Sequence, residues 1–242
     1  MYNPLREKEI NKENDTTGTP FHTHINQCLE YSDGVYYYKP SNVKEDLKMS
    51  NTSQYYNNQA QDFFDSTVSA DVSPLYERFL KYVPSGAHIL DFGCGSGRDT
   101  KAFHDMGYMV SALDGSEELC KLASEYSGIP VKCADFLSLN EHSLYDAIWA
   151  CASIIHVPSN QLPILLGKMR DAVKDSGVIY ASFKYGDFEG ERNGRFFVDM
   201  TEESFHDLLR KVDGLTIIEE WTLGDVRKDK AGSWYDVILR KG

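Results

Sequence analysis

The chain has 242 residues, of which 41% are hydrophobic, and this size and composition suit one domain with a substantial core. It carries 37 acidic against 25 basic side chains, a formal net charge of -12, which disfavours nucleic acid as a partner because its phosphates would be repelled. Neither a long apolar run nor an apolar signal peptide is visible, so we expect a cytoplasmic protein without a membrane partner.

The five cysteines are odd in number, widely spaced and without a CxxC pair. This spacing argues against both a disulfide framework and a structural zinc site. His22 and His24 lie in a polar stretch without a third ligand, and we interpret them as solvated side chains. The sequence therefore predicts no bound metal, while a metal ion as substrate stays open.

Residues 1–52 are rich in Asn, Lys, Glu, Thr and Ser and poor in branched aliphatic side chains. They show neither a strand period nor a helix period, so we predict a flexible or peripheral extension. Tyr36, Tyr37 and Tyr38 would pack this extension on the domain or cover part of a pocket. The predicted domain spans residues 53–242.

From Ser73 onwards, helical segments alternate with short apolar strands, which is typical of parallel βαβ units. The predicted helices are 74–82, with Ser73 as its cap, 98–106, 116–127 and 160–173. The predicted strands are 88–92, 109–113, 130–134, 145–151 and 178–183, all parallel by the crossover rule. A helix capped by Thr201 and a hairpin of strands 216–222 and 234–240 close the chain. The fold class is therefore α/β, a Rossmann-like, doubly wound sheet of seven strands, five of them parallel, with a C-terminal antiparallel hairpin and helices on both faces.

A glycine-rich turn follows the first predicted parallel strand and has the sequence Gly93-Cys94-Gly95-Ser96-Gly97. Such a turn lets the backbone approach a ligand and directs the N–H groups of the next helix at it. The spacing GxGxG differs from the GxGxxG pattern of dinucleotide-binding proteins. Asp91, just before the turn, can accept a hydrogen bond from a ligand ammonium group, which a nicotinamide cofactor lacks, so a dehydrogenase is disfavoured.

Two more acids follow the next two strands. Asp114 can accept from both hydroxyls of a ribose, and Asp135 can accept from an adenine amino group while Phe136 stacks on the base. Each acid alone could equally be a helix cap. Together they lie at successive carboxyl ends of one parallel sheet, which is where open α/β sheets bind ligands.

With these motifs, the segment 55–241 resembles a class I S-adenosylmethionine-dependent methyltransferase. The motifs are Leu90-Asp91-Phe92-Gly93-Cys94-Gly95-Ser96-Gly97, Leu113-Asp114-Gly115-Ser116, Cys133-Ala134-Asp135-Phe136 and Tyr145-Asp146-Ala147-Ile148-Trp149-Ala150-Cys151. The turn with Arg98 and Asp99, and the segment Ala152-Ser153-Ile154-Ile155-His156-Val157-Pro158, are similar to tellurite-resistance-type and other small-molecule methyltransferases.

The resemblance implies S-adenosylmethionine as cofactor. Its methionine part would lie on Asp91 and the turn, its ribose on Asp114, its adenine on Asp135 and Phe136, and its sulfonium near Cys151. Arg98 would contact the methionine carboxylate, while Asp99 would favour the helix N-terminus. Tyr55, with Tyr56, Phe63 and Phe64, resembles an N-terminal helix that folds over the cofactor, although core packing explains these rings as well. The predicted cofactor-binding residues are Asp91, Gly93, Cys94, Gly95, Gly97, Arg98, Asp114, Gly115, Ser116, Asp135, Phe136, Cys151 and Tyr55.

Methyl transfer from a sulfonium is an in-line displacement, so the enzyme mainly positions the acceptor and excludes water. His156 is the candidate general base; alternatively it orients its loop or contacts the acceptor without moving a proton. The segment 184–197 is interpreted as a lid or acceptor loop, with a solvated connection as the alternative. Its candidate substrate-binding residues are Tyr185, Arg192, Arg195 and Phe196.

The leading functional hypothesis is methyl transfer to an O, N, S or metalloid centre of a small molecule. A second hypothesis gives the enzyme a macromolecular acceptor and makes residues 1–52 a docking arm. A third is a non-catalytic protein that binds S-adenosylmethionine. The sequence does not discriminate among oligomeric states.

Overall fold

The computed structural model describes residues 29–32, 35–38, 51–225 and 232–242. The chain divides into two units, Met1–Lys48 and Met49–Gly242. In the first unit, β1 (Leu29–Ser32) pairs antiparallel with β2 (Val35–Tyr38), two strands that the sequence pattern did not predict. His22 and His24 lie outside the described residues, and the role of the extension stays a prediction.

The described part of the second unit contains one sheet of seven strands: β3 (His88–Phe92), β4 (Met109–Asp114), β5 (Val131–Cys133), β6 (Tyr145–Ala150), β7 (Val173–Lys184), β10 (Leu215–Gly224) and β11 (Ser233–Lys241). Their order in the sheet is β10-β11-β7-β6-β3-β4-β5. The five strands β3 to β7 are parallel to one another, and β11 pairs antiparallel with both β7 and β10, so the predicted fold class is confirmed.

Helices cover both faces of this sheet because neighbouring residues of each strand point to opposite sides. Leu90 and Phe92 pack with α6 (Leu162–Ala172) and α7 (Glu202–Leu209), whereas Ile89 packs with α3 (Ser73–Leu80) and with Phe103 of α4 (Arg98–Asp105). The helix bounds are α1 (Asn51–Asn58), α2 (Ala60–Thr67), α3 (Ser73–Leu80), α4 (Arg98–Asp105), α5 (Glu117–Ser127), α6 (Leu162–Ala172) and α7 (Glu202–Leu209), with 3₁₀ turns at Phe136–Ser138 and Ile154–His156. Within the described residues, no helix is long and apolar enough to cross a membrane.

The predicted cap at Ser73 is wrong, because Val72 is the capping residue and Ser73 is the first residue of α3. Asp71 Oδ1 accepts hydrogen bonds from Ser73 N at 3.0 Å and from Ser73 Oγ at 2.6 Å. The acid two residues upstream therefore does what the serine was expected to do. The cap at Thr201 is confirmed, since its side chain accepts from Ser204 N and the two residues form a capping box.

Strand β7 begins at Val173, five residues before the predicted start, because Val173 pairs with Tyr145 of β6. The exposed residues 174–176 interrupt the apolar pattern and hide this part of the strand.

The segment 184–200 contains a hairpin of β8 (Glu189–Arg192) and β9 (Arg195–Val198), which the sequence analysis did not predict. Asn193 and Gly194 form its two-residue turn, both with positive φ, as such turns require.

Candidate functional site

The glycine-rich turn lies at the carboxyl end of β3 and is closely packed. Gly93 has φ +82°, and an added Cβ would lie 2.3 Å from Ser153 Cβ. Gly97 has φ +76°, and its Cβ would lie 2.9 Å from Ala123 Cα. Both positions therefore require glycine for backbone conformation and for space.

Asp114 holds this turn against the end of β4. Its Oδ2 accepts from Gly95 N at 2.9 Å, and its Oδ1 accepts from Ser116 N at 2.9 Å. Burial raises the pKa of Asp114, although these backbone N–H groups favour the charged form. Each carboxylate oxygen retains a second lone pair that a ligand hydroxyl can use.

Asp91 lies buried at the end of β3, and its Oδ2 accepts from Thr100 Oγ1 of α4 at 2.6 Å. Burial and the neighbouring Asp99 raise the pKa of Asp91 well above its usual value. Asp91 and Asp99 thus differ in environment, because Asp99 is paired with the guanidinium of Arg98 and Asp91 is not.

Asp99 is a buried anchor rather than only a charge at a helix start. Arg98 donates from Nε to Asp99 Oδ1 at 2.6 Å and from Nη2 to Oδ2 at 2.9 Å, while Trp149 Nε1 donates to Oδ2 at 2.8 Å. Tyr76 also donates its hydroxyl to this carboxylate. Burial opposes ionisation, yet Arg98 and these donors keep the pKa of Asp99 below its usual value. Sequence reasoning missed Tyr76 and Trp149 because they come from α3 and β6.

Asp135 and Phe136 follow β5. Asp135 is exposed, and its Oδ1 accepts from Leu137 N at 2.7 Å, so it caps the short 3₁₀ turn. Phe136 packs on Phe92 with ring centroids 4.7 Å apart, and its ring edge lies 2.9 Å from the position of a Cβ on Gly93. Their predicted contacts with adenine stay predictions. We call Asp91, the turn 93–97, Asp114 and Asp135 the glycine edge.

Helices α1 and α2, which we call the cover, pack on the glycine edge. A Cβ on Gly95 would lie 3.0 Å from the ring of Phe63 in α2. Asn57 Oδ1 of α1 accepts from Ser116 Oγ at 2.7 Å and from Glu118 N at 3.2 Å. Ser53 Oγ would be 3.3 Å from a Cβ on Gly115.

His156 lies beyond the end of β6, where its ring is held on both sides. Nδ1 lies 2.6 Å from the carbonyl oxygen of Phe196, and Nε2 lies 2.9 Å from the Tyr56 hydroxyl of α1. Because a carbonyl only accepts, we assign the imidazole proton to Nδ1, which leaves the Nε2 lone pair facing Tyr56. Burial lowers the pKa of His156 to about 4, and the charge of Arg195 acts in the same direction.

Arg195 of β9 completes this group. Its Nη1 donates to the Tyr56 hydroxyl at 3.2 Å, and its guanidinium lies 4.8 Å from the Tyr55 ring centroid and 5.0 Å from that of Phe197. Its Nε is buried without a hydrogen-bond partner among the described residues. Burial raises the pKa of Tyr56 despite this cation.

The remaining predicted residues are placed differently. Arg192 donates from Nη2 to Asp199 Oδ2 at 2.6 Å and stacks over Phe188, so its charge is paired within the segment 186–199. Tyr185 is 45% exposed. Burial raises the pKa of the Cys151 thiol, which follows β6, to about 12.

The structure therefore brings His156, Arg195 and Phe196 together with Tyr55, Tyr56 and Phe197. We call these six residues the acceptor cluster. Tyr55 contacts the β8–β9 hairpin, since a Cβ on Gly194 would lie 3.2 Å from its ring, and its predicted contact with the cofactor stays a prediction.

Comparison with known proteins connects this geometry to a class. Residues 89–177 match a family described as "Methyltransferase domain". An uncharacterized methyltransferase of Staphylococcus carnosus is 26% identical over 155 residues, which cover 58% of this chain and 75% of that protein. A ubiquinone biosynthesis O-methyltransferase of Xanthomonas axonopodis is 33% identical over 91 residues, and the matched part spans 38% of its length.

The fold is similar to that of solved methyltransferases. The 1,6-didemethyltoxoflavin-N1-methyltransferase of Burkholderia thailandensis, solved with 1,6-didemethyltoxoflavin and S-adenosylhomocysteine, has a TM-score of 0.67 and 19% identity, covering 89% of this chain and 99% of that one. The N-methyltransferase NodS of Bradyrhizobium japonicum, solved with S-adenosylhomocysteine, has a TM-score of 0.63 and 15% identity, covering 79% and 99%.

The domain match and the fold agree: the chain contains a methyltransferase domain, and its fold is similar to that of methyltransferases solved with S-adenosylhomocysteine. Its matched methyltransferase domain, residues 89–177, contains the whole glycine edge and His156, whereas Tyr56 and Arg195 lie on either side of it.

Proposed function

We propose that this enzyme transfers a methyl group to an oxygen, nitrogen or sulfur atom of a small molecule that binds in the acceptor cluster. The observation that carries the proposal is the hydrogen-bonded group of His156, Tyr56 and Arg195. His156 lies between Tyr56 of the cover and Phe196 of the β8–β9 hairpin, and this group is partly buried, whereas a macromolecular acceptor would need a more open surface. A cation, a neutral imidazole and several aromatic rings also form the kind of apolar site with few polar groups that binds small molecules.

The residues of the glycine edge fit S-adenosylmethionine. The cofactor has an ammonium group, two ribose hydroxyls and an adenine amino group, and all of these can donate hydrogen bonds. Asp91, Asp114 and Asp135 supply carboxylate acceptors at three successive strand ends. We propose that these acids hold the ammonium, the ribose and the adenine in that order, while the N–H groups at the start of α4 face the methionine part.

When bound, S-adenosylmethionine supplies a methyl group on a sulfonium, an electrophile that needs no further activation. The protein's part is to position the acceptor, exclude water and receive a proton. His156 is neutral at neutral pH because its pKa is near 4, so Nε2 can accept a proton. Arg195 can stabilise negative charge on the acceptor, and the surrounding rings exclude water.

The related proteins support a small acceptor. The Burkholderia thailandensis enzyme was solved with 1,6-didemethyltoxoflavin, and the Xanthomonas axonopodis relative is named an O-methyltransferase of ubiquinone biosynthesis. The resemblance to tellurite-resistance-type enzymes adds metalloid centres to the acceptors worth screening.

Isothermal titration of the full chain with S-adenosylmethionine and S-adenosylhomocysteine tests the cofactor part of this proposal. We expect micromolar or tighter binding by the native chain and at least about tenfold weaker binding by Asp114→Ala, because hydrogen bonds to a charged group are lost. Asp105→Ala, which removes an exposed acid of α4, is the matched control and should bind like the native chain. Absence of binding by the native chain contradicts the proposal.

An acceptor screen, read out as formation of S-adenosylhomocysteine, tests the catalytic part. Turnover of free small acceptors by a chain that starts at Met49 would remove the basis for a docking arm. Tight cofactor binding without any product across a broad acceptor set would favour a non-catalytic binding protein.

A further inference from the structure

The hydroxyl group of Tyr56 lies between a base and a cation. Its oxygen is 2.9 Å from His156 Nε2, whose lone pair faces it, and 3.2 Å from Arg195 Nη1, which donates to it. A hydroxyl in this position donates its proton to the imidazole and accepts from the guanidinium at the same time. These are the two interactions that a hydroxyl nucleophile needs, yet the group that makes them belongs to the protein.

The base and the cation are held in place by residues other than Tyr56. His156 is fixed through Nδ1 by the Phe196 carbonyl, and its ring packs on Phe197 with centroids 4.8 Å apart. Arg195 lies over the rings of Tyr55 and Phe197. If the Tyr56 hydroxyl is removed, His156 Nε2 and Arg195 Nη1 therefore stay in place and face a position that an oxygen atom can occupy.

The position also selects what kind of atom can replace the Tyr56 oxygen. Arginine only donates hydrogen bonds, so the atom must accept one, and a positively charged amine is repelled. The Tyr56 ring itself lies 5.0 Å from Phe63 and 5.5 Å from His156, both in edge-to-face contact. The surroundings of the hydroxyl are thus suited to a flat aromatic ring that carries it.

We infer that the methyl acceptor is an aromatic hydroxyl compound, a phenol or a ring enol, whose oxygen takes the place of the Tyr56 hydroxyl. This inference rests on the proposed function and names its substrate class. Tyr56 is then an internal occupant of the acceptor position, and the acceptor displaces it from His156 and Arg195.

The transfer balances as follows. The acceptor oxygen forms a bond to the methyl carbon as the bond from that carbon to sulfur breaks, and the electron pair of the broken bond stays on sulfur. The hydroxyl proton moves to His156 Nε2, and Arg195 stabilises the negative charge that develops on oxygen. The products are an aryl methyl ether, a neutral thioether and an imidazolium that returns its proton to water.

The test uses para-nitrophenol, because its phenolate absorbs visible light and its phenol form does not. The full chain is first saturated with S-adenosylhomocysteine, whose binding is measured separately, and the probe is then titrated by absorbance over a range of pH. We expect the bound probe to ionise at lower pH than the free probe, because Arg195 stabilises the phenolate. Arg195→Gln should abolish this shift and weaken binding at least about tenfold, since a charge-assisted hydrogen bond is lost.

Tyr56→Phe separates an internal occupant from a residue that merely supports the site. It keeps the ring and removes the competing hydroxyl, so we expect the probe to bind about threefold to tenfold more tightly, the equivalent of one hydrogen bond. Tyr108→Phe and Arg210→Gln, changes outside the acceptor cluster, should leave the titration unchanged. If Tyr56→Phe unfolds, the comparison of para-nitrophenol with para-nitroanisole on the native chain still tests the inference.

Three results overturn the inference while leaving the proposed function standing, provided that S-adenosylhomocysteine binds. The first is no binding of para-nitrophenol, and the second is equal binding of para-nitroanisole, which lacks the hydroxyl. The third is weaker probe binding by folded Tyr56→Phe. Failure of S-adenosylhomocysteine to bind overturns the proposed function itself, and the inference with it.

Discussion

The glycine edge and the acceptor cluster lie in the same unit but are built from different kinds of contact. In the glycine edge the hydrogen-bonded residues are close in sequence: Gly95 and Asp114 are 19 positions apart, and Asp91 and Thr100 are 9 apart. In the acceptor cluster, Tyr56 is 100 positions from His156 and 139 from Arg195. One part is therefore local, and the other joins distant parts of the chain.

This difference has a physical consequence for how the two parts form. The glycine edge needs little more than β3, α4, β4 and β5, and the pairing of these strands closes short loops. The acceptor cluster forms only when α1 and the β8–β9 hairpin meet, which orders long stretches of chain. We expect the glycine edge to be the more rigid part and the acceptor cluster to open first under mild destabilisation.

Gly93→Ala is expected to have the largest effect, because it breaks the glycine edge itself. The new Cβ would lie 2.3 Å from Ser153 Cβ and 2.9 Å from the ring of Phe136, at a residue with φ +82°. Backbone strain and overlap together should lower the free energy of unfolding by about 4 kcal/mol, measured by urea denaturation.

The matched control is Gly128→Ala, at φ +75° with no described atom within 4 Å of the new Cβ. It carries the backbone strain alone and should lower the free energy of unfolding by about 1 kcal/mol. Equal losses in the two variants would contradict the claim that the turn is closely packed.

The next largest effect on the free energy of unfolding is expected from the titration of His156 in the acceptor cluster, and it depends on pH. Its pKa is about 4 in the folded chain and close to 6.5 when unfolded, so the unfolded chain binds more protons between these values. The stability that neutral His156 provides should be present above about pH 6.5 and lost as the pH falls to about 4, by roughly 3 kcal/mol.

Urea denaturation across this pH range, compared with His156→Gln, measures the effect. The variant should lack this part of the pH dependence, whereas His142→Gln, which changes an exposed histidine, should retain it. A native chain and a His156→Gln variant with parallel pH profiles would show that the ring is not held neutral.

The difference between local contacts in the glycine edge and long-range contacts in the acceptor cluster also decides how much of each could be predicted from the sequence. The strand β3 was predicted to the residue, and the order of turn and acids along the glycine edge follows from local patterns in β3, β4 and β5. Asp114 and Asp135 also accept hydrogen bonds from backbone N–H groups, in line with the capping alternative, and whether the three acids hold the cofactor stays a prediction.

The acceptor cluster could be predicted only in part from the sequence. His156 and Arg195 were singled out by residue type, but their common partner Tyr56 lies far away in sequence, and no local pattern pairs them. The β8–β9 hairpin had a signal that was overlooked, since Asn193-Gly194 between short runs is typical of a tight hairpin turn. The anchor role of Asp99 was hidden because its donors come from three different elements.

Thr52→Val is expected to have the smallest effect on the free energy of unfolding. It tests whether the acceptor cluster can be weakened without weakening the glycine edge. Thr52 Oγ1 accepts from Phe196 N at 3.0 Å, across 144 positions of sequence, and joins α1 to β9. Valine keeps the shape and leaves that N–H without its acceptor, which should lower the free energy of unfolding by about 1 kcal/mol.

Hydrogen exchange shows where the loss falls. The amide of Phe196 should exchange faster in Thr52→Val, while that of Gly95 in the glycine edge should keep its native rate. Thr216→Val, at an exposed position of β10, should change neither amide. Faster exchange at Gly95 would mean that the two parts unfold as one unit.

The buried carboxylate of Asp99 ties α3, α4 and β6 together directly beside the glycine-rich turn. These contacts hold the start of α4 without any residue of the cover, so we expect the turn to keep its shape when α1 and α2 move away. The cofactor would then bind to a preorganised surface, and little conformational entropy would be lost on binding. The preorganised turn would then set the affinity for the cofactor, and the rate at which α1 and α2 open would set the residence time of the cofactor.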